Sequence, residues 1–73
     1  ELTKNEMRIL GLLMRKQGTI VSRDEIMTDL WQSEEFVDDN TLTVNINRLR
    51  RKLESIGVPQ DYLSTKRGLG YMI

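Results

Sequence analysis

Residues 41–53, which read TLTVNINRLRRKL, constrain the fold more than any other stretch because they separate into an apolar and a polar side. The aliphatic residues here and just beyond recur at steps of three and four, as along one side of a helix: Leu42, Ile46, Leu49, Leu53 and Ile56. The other side carries threonine, asparagine and arginine, which can hydrogen-bond to phosphates and to base edges. A helix with this polar face fits a duplex groove about 12 Å wide, so the pattern predicts DNA binding.

The composition narrows the possible functions. A chain of 73 residues is long enough for one small domain, residues 1–73. It contains no Cys and no His, so the usual zinc ligands and the usual general base are missing, and we expect no cofactor, no metal and no enzymatic activity. No apolar run approaches the roughly 18 residues of a membrane span, and neither a membrane nor a small-molecule substrate is expected as a partner. Because the chain starts at Glu1 rather than Met, we expect a piece of a longer protein. We expect that protein to be cytoplasmic.

The charge distribution supports a polyanionic partner although the net charge is zero. Residues 1–39 hold five basic and nine acidic side chains, whereas residues 40–73 hold six basic and two acidic ones. A chain polarised in this way can turn a basic surface toward phosphates while its acidic end is repelled. Scattered, solvated charge is the alternative interpretation.

The first segment predicts a helix. Thr3 and Glu6 have the spacing of a capping box, and Gly18 suits the left-handed position after a helix, so the helix is expected from Lys4 to about Lys16. Its apolar residues recur at helical spacing and predict the buried side: Met7, Leu10, Leu13 and Met14, with Ile9 beside them. All four methionines, at positions 7, 14, 27 and 72, are interpreted as core residues.

A short strand and a second helix are expected next. Residues 19–21 are β-branched throughout and predict a very short strand. Ser22 and Glu25 form a second capping-box pattern, which opens a helix that reaches Trp31. The polar and acidic residues 32–38 predict a loop.

The remaining pattern completes a fold. The long helix is expected over about residues 40–55, because residues 38–40 are all good N-caps. Short strands are expected at 62–65 and 71–73, joined through the glycine-containing residues 66–70. The order predicts an α+β fold of the winged helix-turn-helix type, with three helices, a short strand and a C-terminal β-hairpin wing.

Five segments, in this order and spacing, carry a resemblance to a known family: LTKNE at 2–6, VSRDE at 21–25, LW at 30–31, NRLRRKL at 47–53 and TKRGLGY at 65–71. The chain resembles the carboxy-terminal DNA-binding domain of OmpR/PhoB-type response regulators. The resemblance implies a receiver domain in the same protein and control of transcription. It also implies that two copies bind direct repeats in double-stranded DNA, with the long helix, about 40–55, in the major groove and the wing, about 64–72, in the minor groove. Loop 32–39 is implied to contact RNA polymerase, and a solvated loop that ends in helix caps is the alternative interpretation.

The long helix departs from the family pattern at four positions, 40, 42, 43 and 45. Where the family most often has RTVDVHI, this chain has NTLTVNI at residues 40–46. Asn40 replaces a basic residue that contacts phosphate, and Thr43 replaces an acidic residue, so neutral hydrogen bonds to phosphate are expected from Asn40 and Asn45. The pattern is similar to that of a branch from low-GC Gram-positive bacteria that responds to cell-wall-active antibiotics and antimicrobial peptides.

Arg48 is the main candidate for a base contact, because bidentate bonding of arginine to guanine is the commonest specific contact. The residues expected at base edges are Arg48, Val44, Thr43, Asn47 and, from the wing, Arg67. The residues expected at phosphates are Trp31, Asn40, Asn45, Arg50, Arg51, Thr65, Lys66 and Tyr71. The roles of Trp31, Thr65 and Tyr71 are implied by the resemblance. Packing of Val44 at the helix edge and half-burial of Tyr71 in a strand remain open alternatives.

Three other functions are weighed against DNA binding by a response regulator. A winged-helix module for a protein partner should show an aromatic anchor on its outer helix face, and that face carries none. A DNA-binding domain of a membrane-tethered one-component regulator differs only upstream of Glu1. A hydrolase is least favoured, because the carboxylate pairs at 34–35 and 38–39 have no base or metal ligand beside them.

Overall fold

The structure, a computed structural model, describes every residue from Glu1 to Ile73. Three helices are followed by a two-stranded antiparallel hairpin: α1 (Lys4–Arg15), α2 (Arg23–Gln32), α3 (Asp39–Ser55), β1 (Ser64–Lys66) and β2 (Gly70–Met72). The α+β winged helix-turn-helix prediction is confirmed. We call residues 64–72 the wing.

The helix starts follow the predicted caps, with one correction. The Thr3 hydroxyl accepts from the Glu6 N–H (3.2 Å) and the Glu6 carboxylate accepts from the Thr3 N–H (2.9 Å), which completes the first capping box. Ser22 caps α2 by accepting from the Glu25 N–H (3.1 Å), but Glu25 does not return the bond. Its carboxylate pairs instead with the Lys16 ammonium at the end of α1, so the second capping box is only half formed.

The predicted strand at 19–21 is reduced to a single bridge. Val21 and Tyr71 exchange both backbone bonds, at 2.8 and 2.9 Å, while Thr19 and Ile20 lie outside any ladder. The wing strands are shifted from their predicted limits, because the ladder pairs Ser64 with Met72 and Lys66 with Gly70. The bridge fastens the wing to the start of α2.

The core fills the space between the three helices and the wing. Its thirteen hydrophobic residues include four of the predicted α3 residues: Leu42, Ile46, Leu49 and Leu53. Ile56 was predicted with them but is 75% exposed, because α3 ends at Ser55 and Ile56 no longer follows the helical stripe.

The predicted buried side of α1 is wrong in part. Met7 and Met14 are exposed, whereas Glu6, Ile9, Leu12 and Leu13 are buried. The helix is therefore rotated so that an acidic residue replaces a methionine on the inner side. Of the two other methionines, Met27 packs against the core from a half-buried position and Met72 is half-buried.

Glu6 is buried because it has polar partners. Its Oε1 accepts from the Thr3 N–H and from the Lys52 ammonium, the latter at 2.7 Å. Glu6 has no exposed surface, yet it lies just beneath the surface, since the Lys52 side chain above it is 39% exposed. Burial raises the pKa of Glu6, but the hydrogen bonds from Lys52 and Thr3 and the charge of Lys52 outweigh burial and leave this pKa below its ordinary value.

The lowered pKa predicts a loss of stability in acid. A carboxyl group whose pKa is depressed by folding stabilises the protein above its unfolded pKa, and this contribution disappears as the pH falls through the folded value. We expect Glu6→Gln to lower the free energy of unfolding by about 1–2 kcal/mol at pH 7, because a charge-assisted hydrogen bond is lost. Below the ordinary carboxyl range the difference from wild type should vanish.

Urea titrations at several pH values measure this effect. Glu54→Gln is the matched control, because Glu54 is an exposed carboxylate of α3 without an ion pair. A Glu6→Gln protein with the same pH dependence as the Glu54→Gln protein would contradict the role given to Glu6.

Candidate nucleic-acid interface

One side of α3 is open along its whole length. On α3, the exposed residues among those expected to bind DNA are Asn40, Thr43, Val44, Asn47, Arg48 and Arg51. They are separated by steps of three and four, so they share a face opposite Leu42, Ile46 and Leu49. We call these six residues the α3 face.

The ion pairs divide the basic side chains into two groups. Six pair with carboxylates: Lys4, Arg8, Arg15, Lys16, Arg23 and Lys52. The five others have no carboxylate partner: Arg48, Arg50, Arg51, Lys66 and Arg67. All five belong to α3 or to the wing, so the positive charge that the chain leaves uncompensated is concentrated on two adjoining elements.

The wing presents Arg67 at its tip. The Leu69 N–H donates to the Lys66 carbonyl (2.8 Å), which closes a turn with Arg67 and Gly68 at its centre. Gly68 has φ +76, a conformation that suits glycine. Arg67 is exposed and makes no ion pair, so its guanidinium is free to reach a ligand.

Arg50 does not lie on the α3 face. Its Nε donates to the Leu63 carbonyl (3.1 Å), and its two terminal nitrogens donate to Asn47 Oδ1 (3.1 Å) and Thr65 Oγ1 (2.9 Å). Two helical steps of about 100° turn Arg50 away from Arg48, toward the wing. Arg50, expected at a phosphate, therefore joins α3 to β1 and keeps only two of its five N–H groups free.

Arg23 makes the corresponding connection from α2 and was not identified from the sequence. Its guanidinium donates to the Asp39 carboxylate (3.0 Å), the Asp39 carbonyl (2.6 Å), Thr43 Oγ1 (2.9 Å) and the Tyr71 hydroxyl (2.5 Å). It also lies over the Tyr71 ring, 5.8 Å from the centroid. One signal was present in the sequence: a cation in the first turn of a helix opposes the helix dipole and needs a compensating partner.

Three residues expected at phosphates have a polar group that is hydrogen-bonded within the molecule, and two of them, Asn45 and Tyr71, are buried. Asn45 is only 8% exposed and its amide donates to the Thr41 carbonyl (2.9 Å). Its side chain therefore faces inward and does not share the exposed face with Val44. Tyr71 is 5% exposed and its hydroxyl accepts from Arg23, so its side chain is covered further than the half-buried alternative supposes. The Trp31 indole N–H donates to the Val37 carbonyl (3.3 Å) while part of the ring remains exposed.

The loop before α3 combines acidic and apolar character. Glu34 adopts φ +68, and the Phe36 ring is 84% exposed. Asp38 caps α3 by accepting from the Thr41 N–H (2.7 Å), and hydrogen bonding from the Thr41 side chain and backbone lowers the pKa of Asp38. Anionic Asp38 therefore stabilises the positive end of the α3 dipole.

None of the three helices combines the length and the apolar character that crossing a membrane requires.

Comparisons with known proteins agree with this geometry. Residues 1–73 match the family described as transcriptional regulatory protein, C terminal. The response regulator protein GraR of Staphylococcus haemolyticus is 56% identical over 71 residues, which cover 97% of this chain and 31% of GraR. The chain thus spans about a third of the length of the curated relatives it matches.

Two solved structures share the fold. The C-terminal domain of the nisin resistance regulator NsrR, a lantibiotic response regulator, superposes with a TM-score of 0.85 and 41% identity, covering 97% of this chain and 71% of that one. The DNA-binding domain of the response regulator AdeR, in complex with an intercistronic region, superposes with a TM-score of 0.83 and 26% identity, covering 100% and 74%. The chain belongs to the family of C-terminal, winged-helix DNA-binding domains of OmpR/PhoB-type response regulators.

Proposed function

We propose that this domain binds double-stranded DNA in a sequence-specific manner, with the α3 face in the major groove and the wing tip in the minor groove. The observation that carries the proposal is the location of all five carboxylate-free cations on α3 and the wing. Such a concentration is what attraction to a phosphate backbone requires. The likeness to the AdeR domain bound to an intercistronic region supports it.

The exposed residues divide into two roles. Arg48, Thr43, Val44 and Asn47 lie on the α3 face and would contact base edges, with the methyl groups of Thr43 and Val44 suited to thymine. Arg67 would enter the minor groove, whose negative potential attracts arginine. The residues that would contact phosphates are Asn40, Arg51, Thr65 and Lys66.

The whole protein would be a cytoplasmic transcription regulator. Two copies would bind direct repeats, and phosphorylation of a receiver domain would favour binding by raising the effective concentration of paired domains. Loop 32–39, with Phe36 exposed among acidic residues, would contact RNA polymerase. The likeness to the C-terminal domain of the lantibiotic response regulator NsrR supports a role in the response to antimicrobial peptides.

Selection of bound duplexes from a random pool, followed by a salt titration, tests the proposal. We expect the affinity to fall steeply with salt, and Arg51→Ala to reduce the slope of log K against log salt by about 1, because one phosphate contact is lost. Arg15→Ala removes the same charge from an exposed position of α1, where Arg15 pairs with Asp29, and should leave the slope unchanged.

Two results would favour a winged-helix module for a protein partner instead. One is an affinity that does not change with salt concentration, and the other is an equal change of the salt slope in the Arg51→Ala and Arg15→Ala proteins.

A further inference from the structure

The hydrogen bond between Arg50 and Asn47 fixes the direction of an amide on the α3 face. Arg50 lies 3.1 Å from the Asn47 side chain, on its wing side. A guanidinium has five N–H donors and no acceptor. The Asn47 atom that faces Arg50 must therefore be the carbonyl oxygen, and the amide NH₂ group must point the other way.

The wing holds this arrangement in place. The guanidinium that binds Asn47 also donates to the Leu63 carbonyl (3.1 Å) and to Thr65 Oγ1 (2.9 Å), so two wing-side partners anchor it. Rotating the amide by half a turn would place NH₂ against the guanidinium and leave a donor facing a donor. The orientation of Asn47 is thus set by a contact between α3 and β1 rather than by Asn47 itself.

The consequence concerns base recognition and rests on the proposed DNA binding. A free asparagine reads adenine with both groups, because the amide oxygen accepts from N6 while the NH₂ donates to N7. Here the oxygen is turned toward the wing and already accepts from Arg50, so the two N–H donors are the groups that Asn47 directs away from the wing. Guanine offers two acceptors, O6 and N7, in the major groove, whereas adenine offers one acceptor and one donor.

We propose that Arg50 is a positioning residue that makes Asn47 a donor-only reader, so that Asn47 selects guanine over adenine at one position of the bound sequence. Replacing Arg50 releases the amide and returns Asn47 to the two-sided pattern that matches adenine. Asn47 touches the base, and Arg50 acts only through it.

The experiment compares four proteins on the duplex selected by wild type, with each position varied to all four bases. Asn47→Ala identifies the position that Asn47 reads, because preference is lost there alone. At this position we expect wild type to prefer guanine over adenine about tenfold, the scale of one good base contact. Arg50→Met, which keeps the length of the side chain and removes its donors, should shift the preference toward adenine. Arg51→Met, the neighbouring exposed arginine, should lower affinity for all four bases alike.

A second measurement needs no change in Arg50 and so is unaffected if the wing loosens in that variant. Substituting 7-deazaguanine at the same position removes the N7 acceptor. Wild type should then lose roughly fivefold in affinity, while Asn47→Ala, which makes no bond there, should lose almost none.

Three results would overturn the inference while leaving DNA binding intact: a wild-type preference for adenine, a guanine preference that survives Arg50→Met, or no position affected by Asn47→Ala. Failure of the proposed function is distinguishable, because wild type would then enrich no duplex over the random pool, and both proposals would fall.

Discussion

Replacing Gly70 with alanine is expected to lower the free energy of unfolding by about 3 kcal/mol or more, because the added methyl group has no space. A Cβ on Gly70 would lie 2.0 Å from the Val21 carbonyl oxygen, 2.7 Å from its carbon and 2.9 Å from the Ser22 Cα. These are backbone atoms, which cannot rotate away as a side chain can. Crowding of this kind costs about 1–3 kcal/mol and the backbone conformation at φ +149 adds about 1–3 kcal/mol.

That loss is large beside the total stability. A domain of 73 residues is stabilised by about 4–11 kcal/mol at 0.05–0.15 kcal/mol per residue. Urea or thermal unfolding measures the difference. The Val21–Tyr71 bridge depends on the same close approach of Gly70 to Val21. In the Gly70→Ala protein, the wing should therefore separate from α2 before the helices unfold.

Gly68→Ala is the matched control. Gly68 also has a positive φ, +76, but an added Cβ would meet no atom within 4 Å. We therefore expect only the cost of a left-handed alanine, about 1–2 kcal/mol. If the two variants were equally destabilised, the close packing of the Gly70 backbone on Val21 would not be what makes glycine necessary.

The parts of the fold that depend on local pattern could be predicted from the sequence. The four α3 residues in the core follow from helical periodicity, and the Thr3 and Ser22 caps follow from the affinity of a hydroxyl for free N–H groups at a helix start. The α3 face follows from the same periodicity, because positions opposite a buried stripe must be exposed.

The orientation of the arginines could not be predicted, because their partners are distant in sequence. Arg50 bonds to groups 13 and 15 residues away, and Arg23 bonds to Tyr71, 48 residues away. A helical pattern shows that Arg50 lies at the edge of the polar side, but only the position of the wing decides whether that edge is open.

The burial of Glu6 could not be predicted for the same reason, because the partner of its carboxylate is distant in sequence. Its place in a capping box does not indicate burial, because Lys52, the cation that lets its carboxylate be covered, lies 46 residues later. The strand predicted at 19–21 is reduced to one bridge for a related reason. β-Branched residues favour a strand, but only Val21 pairs with a residue of another segment, Tyr71.

Arg48→Ala is expected to weaken binding of the selected duplex by about 1–3 kcal/mol and to relax the preference at one base position. Arg48 is exposed on the α3 face, and it has no carboxylate partner that would have to be given up on binding. A guanidinium free in this way can form two bonds to one guanine, which a shorter side chain cannot replace.

Arg51→Ala serves as the comparison, because Arg51 lies on the same face and carries the same charge but is assigned to a phosphate. Its loss should weaken selected and random duplexes by the same factor, whereas the loss of Arg48 should affect the selected duplex far more. Fluorescence anisotropy on both duplexes at one salt concentration separates the two cases. Equal losses on selected and random DNA for both variants would mean that Arg48 contributes charge alone, and base selection would then have to come from the neutral residues of the α3 face and from Arg67.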